Sequence, residues 1–332
     1  MANVQKYFEK FHEDIRADYK MSSTLQEKRD IILRRIRKHL AENKRPSFKR
    51  LLQGSYRMKT GVIPISNLEY DIDVGLRFYF SENDFSAETV REWVFEAVDG
   101  HTEKVEEKGP CIRVTYAPPD PFHVDLVVYA CWEDGNYNKQ FRLAHKADGW
   151  RPADPIKLIK HVRQARQSFK GTEDCSTKTD QFRRVVRYVR RANDVRFPFE
   201  SSSKPTGLAF VLLCTERLTP NLGWPGECDD RAALEKLALS AANNLGRIVA
   251  KKPTPEYEDM FARLSDKEMD DLKTWFGDMA QTLREADEEI APEKACKKLQ
   301  KIFGEDFPVP TKEETAKRTN APAIVTSSSS AA

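Results

Sequence analysis

Hydrophobic and polar residues alternate along two stretches of the chain, and this pattern predicts two strands. Between Tyr70 and Phe80 one face is apolar, with Ile72, Val74, Leu76, Phe78 and Phe80, and the other carries Asp71, Asp73, Gly75 and Arg77. Over 122–129 the apolar Val124, Leu126 and Val128 alternate with His123, Asp125 and Val127. Successive side chains of a strand point to opposite faces, so each stretch is predicted to bury one face in a sheet.

Helical spacing of apolar residues is typical of the rest of the chain. In the first half it predicts helices over 3–20, after Ser22-Ser23 and over 87–98, with one more strand over 111–117. After Gly149 no strand pattern is found. The helices predicted there begin at Ile156 and Gln181, cover 229–248, cover 266–286 behind a capping box at Ser265, and run from Pro292 to Gly304.

This order of elements predicts an α+β protein with two lobes. Residues 1–148 are predicted to form a mixed-sheet core lobe that includes the N-terminal helices, and residues 149–304 a helical lobe that closes a cleft. Residues 305–332 are polar and contain Pro308 and Pro310. They lack the apolar content to fold alone, so a flexible tail is predicted.

Composition narrows the class of protein. The net charge is only +3 although 32% of the residues are charged, which indicates a protein without a uniformly basic surface. No stretch is long enough for a transmembrane helix, and the N-terminus lacks a signal-peptide pattern, so no membrane association is predicted. The six cysteines are scattered, without a Cys-x-x-Cys pair. This favours reduced thiols in the cytoplasm and disfavours a zinc site.

The acids on the two predicted strands are the candidate chemistry. Asp71 and Asp73 share one face, and two carboxylates that close repel each other unless a cation binds. Asp125 is the only acid in an apolar run, where it costs free energy unless it also binds something. Oxygen ligands favour a hard ion, so Mg²⁺ or Mn²⁺ is predicted at all three. Three carboxylates on two strands suit a two-metal site for phosphoryl or nucleotidyl transfer.

A tight turn upstream of the acids is the predicted triphosphate site. Gly54 allows close backbone approach, and the amides of a turn or helix start favour anions. The Ser55 hydroxyl adds a hydrogen-bond donor, and Gln53 completes the predicted contacts. Arg57 and Lys59 lie near in sequence, and either a phosphate contact or a solvated position is open for them.

The combined motif resembles a known superfamily. Gly54-Ser55, Asp71-x-Asp73 in a strand and Asp125 on a later strand are similar to the DNA-polymerase-β-like nucleotidyltransferases. The sequence QGSYRMKTGVIP…YDIDVGL more specifically resembles the bacterial cGAS/DncV-like nucleotidyltransferases (CD-NTases). The resemblance covers roughly residues 45–220.

The resemblance implies a bilobed fold and an enzyme with two Mg²⁺ or Mn²⁺ ions in its site. It implies condensation of ATP, and of other nucleoside triphosphates, into a cyclic oligonucleotide second messenger with release of pyrophosphate. It further implies a cyclic di- or triadenylate, use in anti-phage (CBASS) signalling, and regulation by a HORMA-domain protein. Two alternatives stay open: a linear oligoadenylate synthase or other nucleotidyltransferase on this fold, and a nucleotide-binding protein without turnover.

The resemblance also implies a triphosphate clamp in the second lobe. Val185-Val186-Arg187-Tyr188 is similar to the family's hydrophobic-hydrophobic-Lys-Tyr pattern, with Arg187 in place of Lys. Lys204 and Thr206 stand where the family has a small hydroxyl that opens the next helix. Arginine binds phosphate bidentately, so the replacement keeps the chemistry. Arg190 and Ser203 are the alternative contacts.

Two basic segments predict an anionic partner. Between Ile156 and Arg196 there are twelve Lys or Arg residues against four Asp or Glu, and the second predicted helix has a basic face. The segment 156–196 is predicted to face polyphosphate or double-stranded DNA, and the basic face of the second helix to face nucleic acid or an acidic partner. Ordinary solvated helix faces are the alternative for both. For DNA, charge reversal at Arg183 and Arg184 is expected to weaken binding.

Overall fold

The computed structural model of the protein describes residues 3–17, 22–65, 70–117, 122–174, 176–198, 201–223 and 226–311. Its seven strands within these ranges form one mixed sheet in which β2 and β5 are parallel and all other pairs are antiparallel. The strands are β1 (Phe48–Leu52), β2 (Tyr70–Phe78), β3 (Lys104–Glu107), β4 (Ile112–Tyr116), β5 (Phe122–Glu133), β6 (Lys139–His145) and β7 (Gly149–Pro152). The order is β1-β2-β5-β4-β3, and β6 joins the far end of β5 to β7.

Ten α-helices and one 3₁₀ helix lie in the same ranges. They are α1 (Gln5–Ile15), α2 (Ser22–Glu42), α3 (Gly54–Met58), α4 (Ala87–Val98), α5 (Pro155–Ala165), the 3₁₀ helix Arg166–Thr172, α6 (Gln181–Arg196), α7 (Gly207–Arg217), α8 (Asp230–Ala242), α9 (Asp266–Glu288) and α10 (Pro292–Phe303). The predicted capping box is confirmed, because Ser265 and Glu268 exchange side-chain-to-backbone bonds at the start of α9. None of these helices is both long and apolar enough to cross a bilayer.

The sheet lobe has its own core. The apolar faces of β2 and β5, predicted from the alternation, pack against α2 and α4. The residues at this interface include Ile32, Ile36, Val74, Val90, Val94 and Leu126, all fully buried. The opposite face of the same two strands is left for the acids.

The helical lobe has a separate core, and α1 packs in it. Phe8 and Phe11 are fully buried against Tyr188 of α6 and Phe303 of α10, with ring centroids 5.0–5.8 Å apart. Burial of each such ring stabilises the fold by about 1.5–3 kcal/mol. This placement differs from the prediction that both N-terminal helices belong to the sheet lobe. The boundary near residue 148 stays a prediction.

Three predicted boundaries differ from the structure. The prediction that no strand follows Gly149 was wrong, because Gly149–Pro152 forms β7 at the sheet edge, where a proline is tolerated. Helix α8 ends at Ala242 rather than near Ile248. The predicted tail begins too early, because Phe307 is fully buried among the aromatic rings of α1 and α10. Residues 312–332, the greater part of the predicted tail, lie outside the described residues.

Candidate active site

The parallel pairing of β2 with β5 brings the three predicted acids together. Asp73 stands directly opposite Asp125 in the register, and Asp71 stands opposite His123. One carboxylate oxygen from each of Asp71, Asp73 and Asp125 lies within 4.8 Å of the others. Both strands are buried on their other face, so the sheet fixes where these oxygens meet.

The acids are poorly suited to ionise without a cation. Removal from water raises the pKa of Asp73 to about 6, and the charge of Asp125 acts in the same direction. Asp71 is open to the cleft, but the cleft walls keep it from bulk water, and this desolvation raises its pKa well above the usual range. The neighbouring Asp73 and Asp125 raise it further. The site therefore favours a bound positive charge.

An arginine that the sequence did not reveal already contacts the third acid. Arg113 of β4 stands opposite Asp125, donating from Nε to Oδ1 at 2.8 Å and from Nη2 to Oδ2 at 2.7 Å. These bonds raise the pKa of Arg113. Arg113 is the only charged residue in the short strand Ile112–Tyr116. That is the same signal that singled out Asp125 on β5.

The predicted glycine turn lies against the acids. Gly54 opens α3 with φ +62°, and a Cβ atom there would come within 1.8 Å of Asp73 Oδ2. Only glycine leaves room for that carboxylate, so the two positions depend on each other. Ser55 and Gln53 also line the cleft, and Gln53 Oε1 accepts a hydrogen bond from the Tyr129 hydroxyl at 3.1 Å.

The cleft between the lobes has a volume of about 1,260 Å³. Its second wall includes the two residues predicted at the start of α7. Thr206 caps that helix by accepting from the Ala209 amide, and Lys204 Nζ lies 2.8 Å from an Asp194 carboxylate oxygen. Both residues line the cleft, each already with a partner in the protein.

Arg187, predicted to contact triphosphate, is not part of the cleft lining. It is buried, and its guanidinium donates to the carbonyl of Lys59 at 2.6 Å and to that of Gly61 at 3.0 Å. A third nitrogen lies 2.9 Å from His12 Nε2. A guanidinium engaged by three neighbours does not favour the phosphate role predicted for it.

One turn later on α6, Arg190 faces the cleft. Its charge acts on Asp71 and Asp73, lowering the pKa of both. It donates to the Thr60 carbonyl at 2.5 Å, and Gly207 leaves the space that its Nε occupies. Arg190 was one of the sequence alternatives. The other, Ser203, donates to Glu268 and lies outside the lining.

The segment between α8 and α9 also reaches the cleft, although no sequence motif marks it. Its lining residues are Lys252, Thr254, Glu256, Met260 and Arg263. Burial raises the pKa of Tyr129, and the charges of Asp73 and of Glu256 in this segment act in the same direction.

A mixed sheet with three clustered carboxylates, set at a cleft that a helical lobe closes, defines a polymerase-β-like nucleotidyltransferase. Residues 47–129 match the family model "Cyclic GMP-AMP synthase DncV-like, nucleotidyltransferase domain". The predicted resemblance to the cGAS/DncV-like nucleotidyltransferases is confirmed over residues 47–129. The sequence has no match among curated proteins.

Solved structures share the fold over nearly the whole chain. Vibrio cholerae DncV, in complex with a linear intermediate, is 14% identical over 89% of this chain and 93% of its own, with a TM-score of 0.71. CdnC of E. coli MS115-1 with ATP is 13% identical over 91% and 98%, with a TM-score of 0.65. CdnG of Bradyrhizobium diazoefficiens with GTP is 15% identical over 96% and 99%, with a TM-score of 0.67. The predicted α+β bilobed fold is confirmed.

Proposed function

We propose that the protein is a Mg²⁺- or Mn²⁺-dependent synthase that condenses ATP, alone or with other nucleoside triphosphates, into a cyclic oligonucleotide and releases pyrophosphate. The observation that carries the proposal is the pairing of opposite charges across one cleft. Three carboxylates lie together on the sheet, and Arg190 faces them from α6. A nucleoside triphosphate with bound divalent cations presents the complementary charges.

The donor set fits hard divalent cations. The three acids offer only oxygen, and the raised pKa values of Asp71 and Asp73 mean that cations would relieve a repulsion already built into the fold. Asp71, Asp73 and Asp125 would hold two ions. When bound, such ions neutralise the charge of the triphosphate and lower the pKa of an attacking hydroxyl.

The chain's own residues then position the substrates. Gly54 lets the backbone approach the phosphates, and Ser55 offers a hydroxyl donor. Arg190 holds the far end of the triphosphate, with Lys204 and Thr206 on the same wall. Asp125 would take the proton of the acceptor hydroxyl, and its two hydrogen bonds from Arg113 hold that carboxylate in place. Catalysis of this kind depends mainly on orientation and charge.

The size of the cleft supports a reaction between two nucleotides. Sites for a single drug-sized ligand measure about 300–1,000 Å³. The cleft, at about 1,260 Å³, exceeds that range and is lined by both lobes. A donor and an acceptor nucleotide can therefore occupy it together, as condensation requires.

The direct test is a product assay. The purified protein is incubated with four labelled ribonucleoside triphosphates and Mg²⁺ or Mn²⁺, then treated with phosphatase, and the surviving products are identified by mass spectrometry. A phosphatase-resistant cyclic product that contains adenosine is expected. The variant Asp71→Asn/Asp73→Asn is the control and should yield none.

Other outcomes assign the alternatives. A phosphatase-sensitive ladder of oligoadenylates would indicate a linear synthase. Metal-dependent ATP binding without any product, even after a regulatory protein is added, would indicate a binding protein. Both results would contradict the cyclic synthase.

We infer that the regulatory partner is a HORMA-domain protein. The support is that CdnC of E. coli MS115-1 has also been solved in complex with HORMA-deltaN, and it shares this fold with a TM-score of 0.66 at 13% identity over 91% of this chain and 98% of its own. Co-purification with a HORMA-domain protein, and a rise in product yield when it is added, would test this. Absence of both effects would contradict it.

Binding of double-stranded DNA stays a prediction, but its proposed test must change. Arg184 is fully buried and paired with Asp230, and Arg183 is buried and paired with Asp180. Charge reversal there would disrupt the helical lobe rather than probe DNA. The exposed Arg34 and Lys38 of α2 are better sites, and reversing them should weaken DNA binding and its salt dependence.

A further inference from the structure

A second cavity, of about 230 Å³, lies on the far side of α3 from the acids. We call it the rear cavity. Five of its eight lining residues are cationic, and these come from α3, α5, the 3₁₀ helix and α6. They are Arg57, Lys59, Arg163, Arg166 and Arg183. Such a convergence of like charge is unfavourable unless something compensates it.

The protein supplies only part of that compensation. Arg166 and Arg183 share one carboxylate, at 2.7 Å and 3.0 Å from Asp180 Oδ2. Burial lowers the pKa of Arg183, and the neighbouring Arg166 acts in the same direction. Asp180 thus serves two guanidinium groups and has no charge left for the rest of the cavity.

The side chains of the other three cations have no hydrogen bond or ion pair within the described ranges. They are Arg57, Lys59 and Arg163, and all three side chains are exposed at the cavity. Of the five cations, two pair with Asp180, and Glu173 acts on Arg183 only through its charge. The cavity thus carries an excess of positive charge, whereas the cleft carries an excess of negative charge that Arg113 and Arg190 only partly offset, and the same reasoning calls for an anion.

The size and shape of the cavity indicate which anion. Its volume is below the roughly 300–1,000 Å³ of sites for drug-sized ligands, so it suits a compact group rather than a whole nucleotide. Its cations converge on one hollow instead of following a surface, which favours a small molecule over a nucleic-acid backbone. Arginine forks match phosphoryl oxygens in geometry.

We propose that the rear cavity is a second anion site, which binds a small molecule through one or two phosphoryl groups and thereby fixes the position of α3. Helix α3 separates the two cavities: Gly54 and Ser55 line the cleft, and Arg57 lines the rear cavity. Met58 and Ile159 line both. An anion behind the helix therefore acts on the turn in front of it. The binding of an anion does not depend on the proposed function. Its effect on catalysis through the turn Gly54-Ser55 does rest on that function.

Binding is tested by calorimetric titration of the full chain with pyrophosphate, phosphate or citrate in EDTA, where the acids of the cleft repel anions. One pyrophosphate per chain is expected, and it should bind more tightly than citrate. The variant Lys59→Gln/Arg163→Gln should weaken binding at least ten-fold. The matched control, Lys157→Gln/Lys160→Gln, removes two exposed charges of α5 outside the cavity. It should change the affinity for pyrophosphate less than two-fold.

Several results would overturn the binding proposal. Equal weakening in both double variants would mean general attraction rather than a site, and loss of binding in Arg190→Gln would locate the anion in the cleft. No binding at millimolar pyrophosphate, tighter binding of citrate, or displacement of pyrophosphate by a short DNA duplex would contradict it as well. Pyrophosphate should also raise the melting temperature of the wild type but not of Lys59→Gln/Arg163→Gln, which checks that variant independently.

The effect on α3 is tested by hydrogen exchange. The amides of Arg57, Lys59 and Thr60 bond to carbonyls within 53–56. Pyrophosphate in EDTA should slow their exchange at least three-fold in the wild type and in Arg190→Gln, but not in Lys59→Gln/Arg163→Gln. Unchanged exchange despite binding would overturn the coupling. Neither measurement needs turnover, so an inactive synthase would not affect the result.

Discussion

The two lobes differ in how far their charged groups are compensated by partners within the protein. In the sheet lobe, three carboxylates meet and two have raised pKa values, because removal from water and mutual repulsion disfavour their ionised forms. In the helical lobe, Arg184 is fully buried but fully used. It donates to both oxygens of Asp230, at 2.7 and 2.9 Å, and to the carbonyls of Thr172 and Thr179.

The difference distinguishes structural from functional charge. Asp230 also accepts from Gln181 and lies 3.0 Å from the Tyr188 hydroxyl, so its network is closed and has nothing left to bind. The acids of the cleft keep a repulsion that only a ligand can relieve. A buried charge therefore indicates function when the fold leaves it uncompensated.

The largest expected effect separates activity from stability. Asp71→Asn/Asp73→Asn should lower product formation at least a thousand-fold, about 4 kcal/mol in the barrier. At pH 7 and without metal, it should raise the free energy of unfolding by about 1–3 kcal/mol, since a repelling charge is gone. Denaturant unfolding in EDTA, beside the product assay, measures both. A double variant less stable than the wild type would contradict the claim that these acids repel each other in the folded protein.

The next effect concerns the closed network. Arg184→Met leaves Asp230 buried without its partner, and we expect a loss of about 3–5 kcal/mol in the free energy of unfolding. Arg184→Met/Asp230→Leu should recover most of that loss, because no uncompensated charge remains. Urea unfolding of the three proteins tests this. If both variants were equally unstable, packing rather than charge would be responsible.

Low pH should lower the free energy of unfolding, because His12 of the helical lobe is protonated only in the unfolded state. Burial and the nearby Arg187 lower the pKa of His12 to about 2, from 6.5. The unfolded state therefore binds a proton that the folded state excludes, and stability falls as pH drops below about 6.5, by about 1.4 kcal/mol per pH unit. Comparing the wild type with His12→Gln between pH 7 and 5 isolates this contribution, about 2 kcal/mol at pH 5. Parallel pH curves would refute it.

The smallest effect distinguishes two arginines on one helix. Arg190→Gln should raise the KM for ATP about ten-fold, about 1.4 kcal/mol, and should lower the melting temperature less than Arg187→Gln, because Arg190 donates to one carbonyl, that of Thr60. Arg187→Gln should lower the melting temperature more, because it releases the carbonyls of Lys59 and Gly61. Kinetics and thermal melts of both variants test the assignment. A KM effect confined to Arg187→Gln would restore the sequence prediction.

The sequence predicted the parts of the site that lie on single strands. Asp71, Asp73 and Asp125 stood out because period two assigns each to a face, and an acid among apolar residues needs a partner. Arg113 was missed because its contact with Asp125 depends on which strands pair and in what register. Periodicity within one segment carries no information about either.

The helical lobe was harder to predict for a similar reason. Arg187 and Arg190 are one turn apart, so a pattern cannot tell which one reaches the cleft. The apolar stripe of α1 predicted a helix, but the partners of Phe8 lie on α6 and α10, far along the chain. The lining residues of 252–263 belong to no periodic element at all.

The aromatic cluster that joins α1 to α10 has a consequence for synthesis on the ribosome. An isolated eleven-residue helix such as α1 is marginal in water, and the rings that cover Phe8 and Phe11 are made only near residue 307. The sheet lobe is complete at the end of β7 and can fold before α1 docks. Helix α1 is thus made before the sheet lobe but docks only after α10 is made, and its apolar face stays exposed until then.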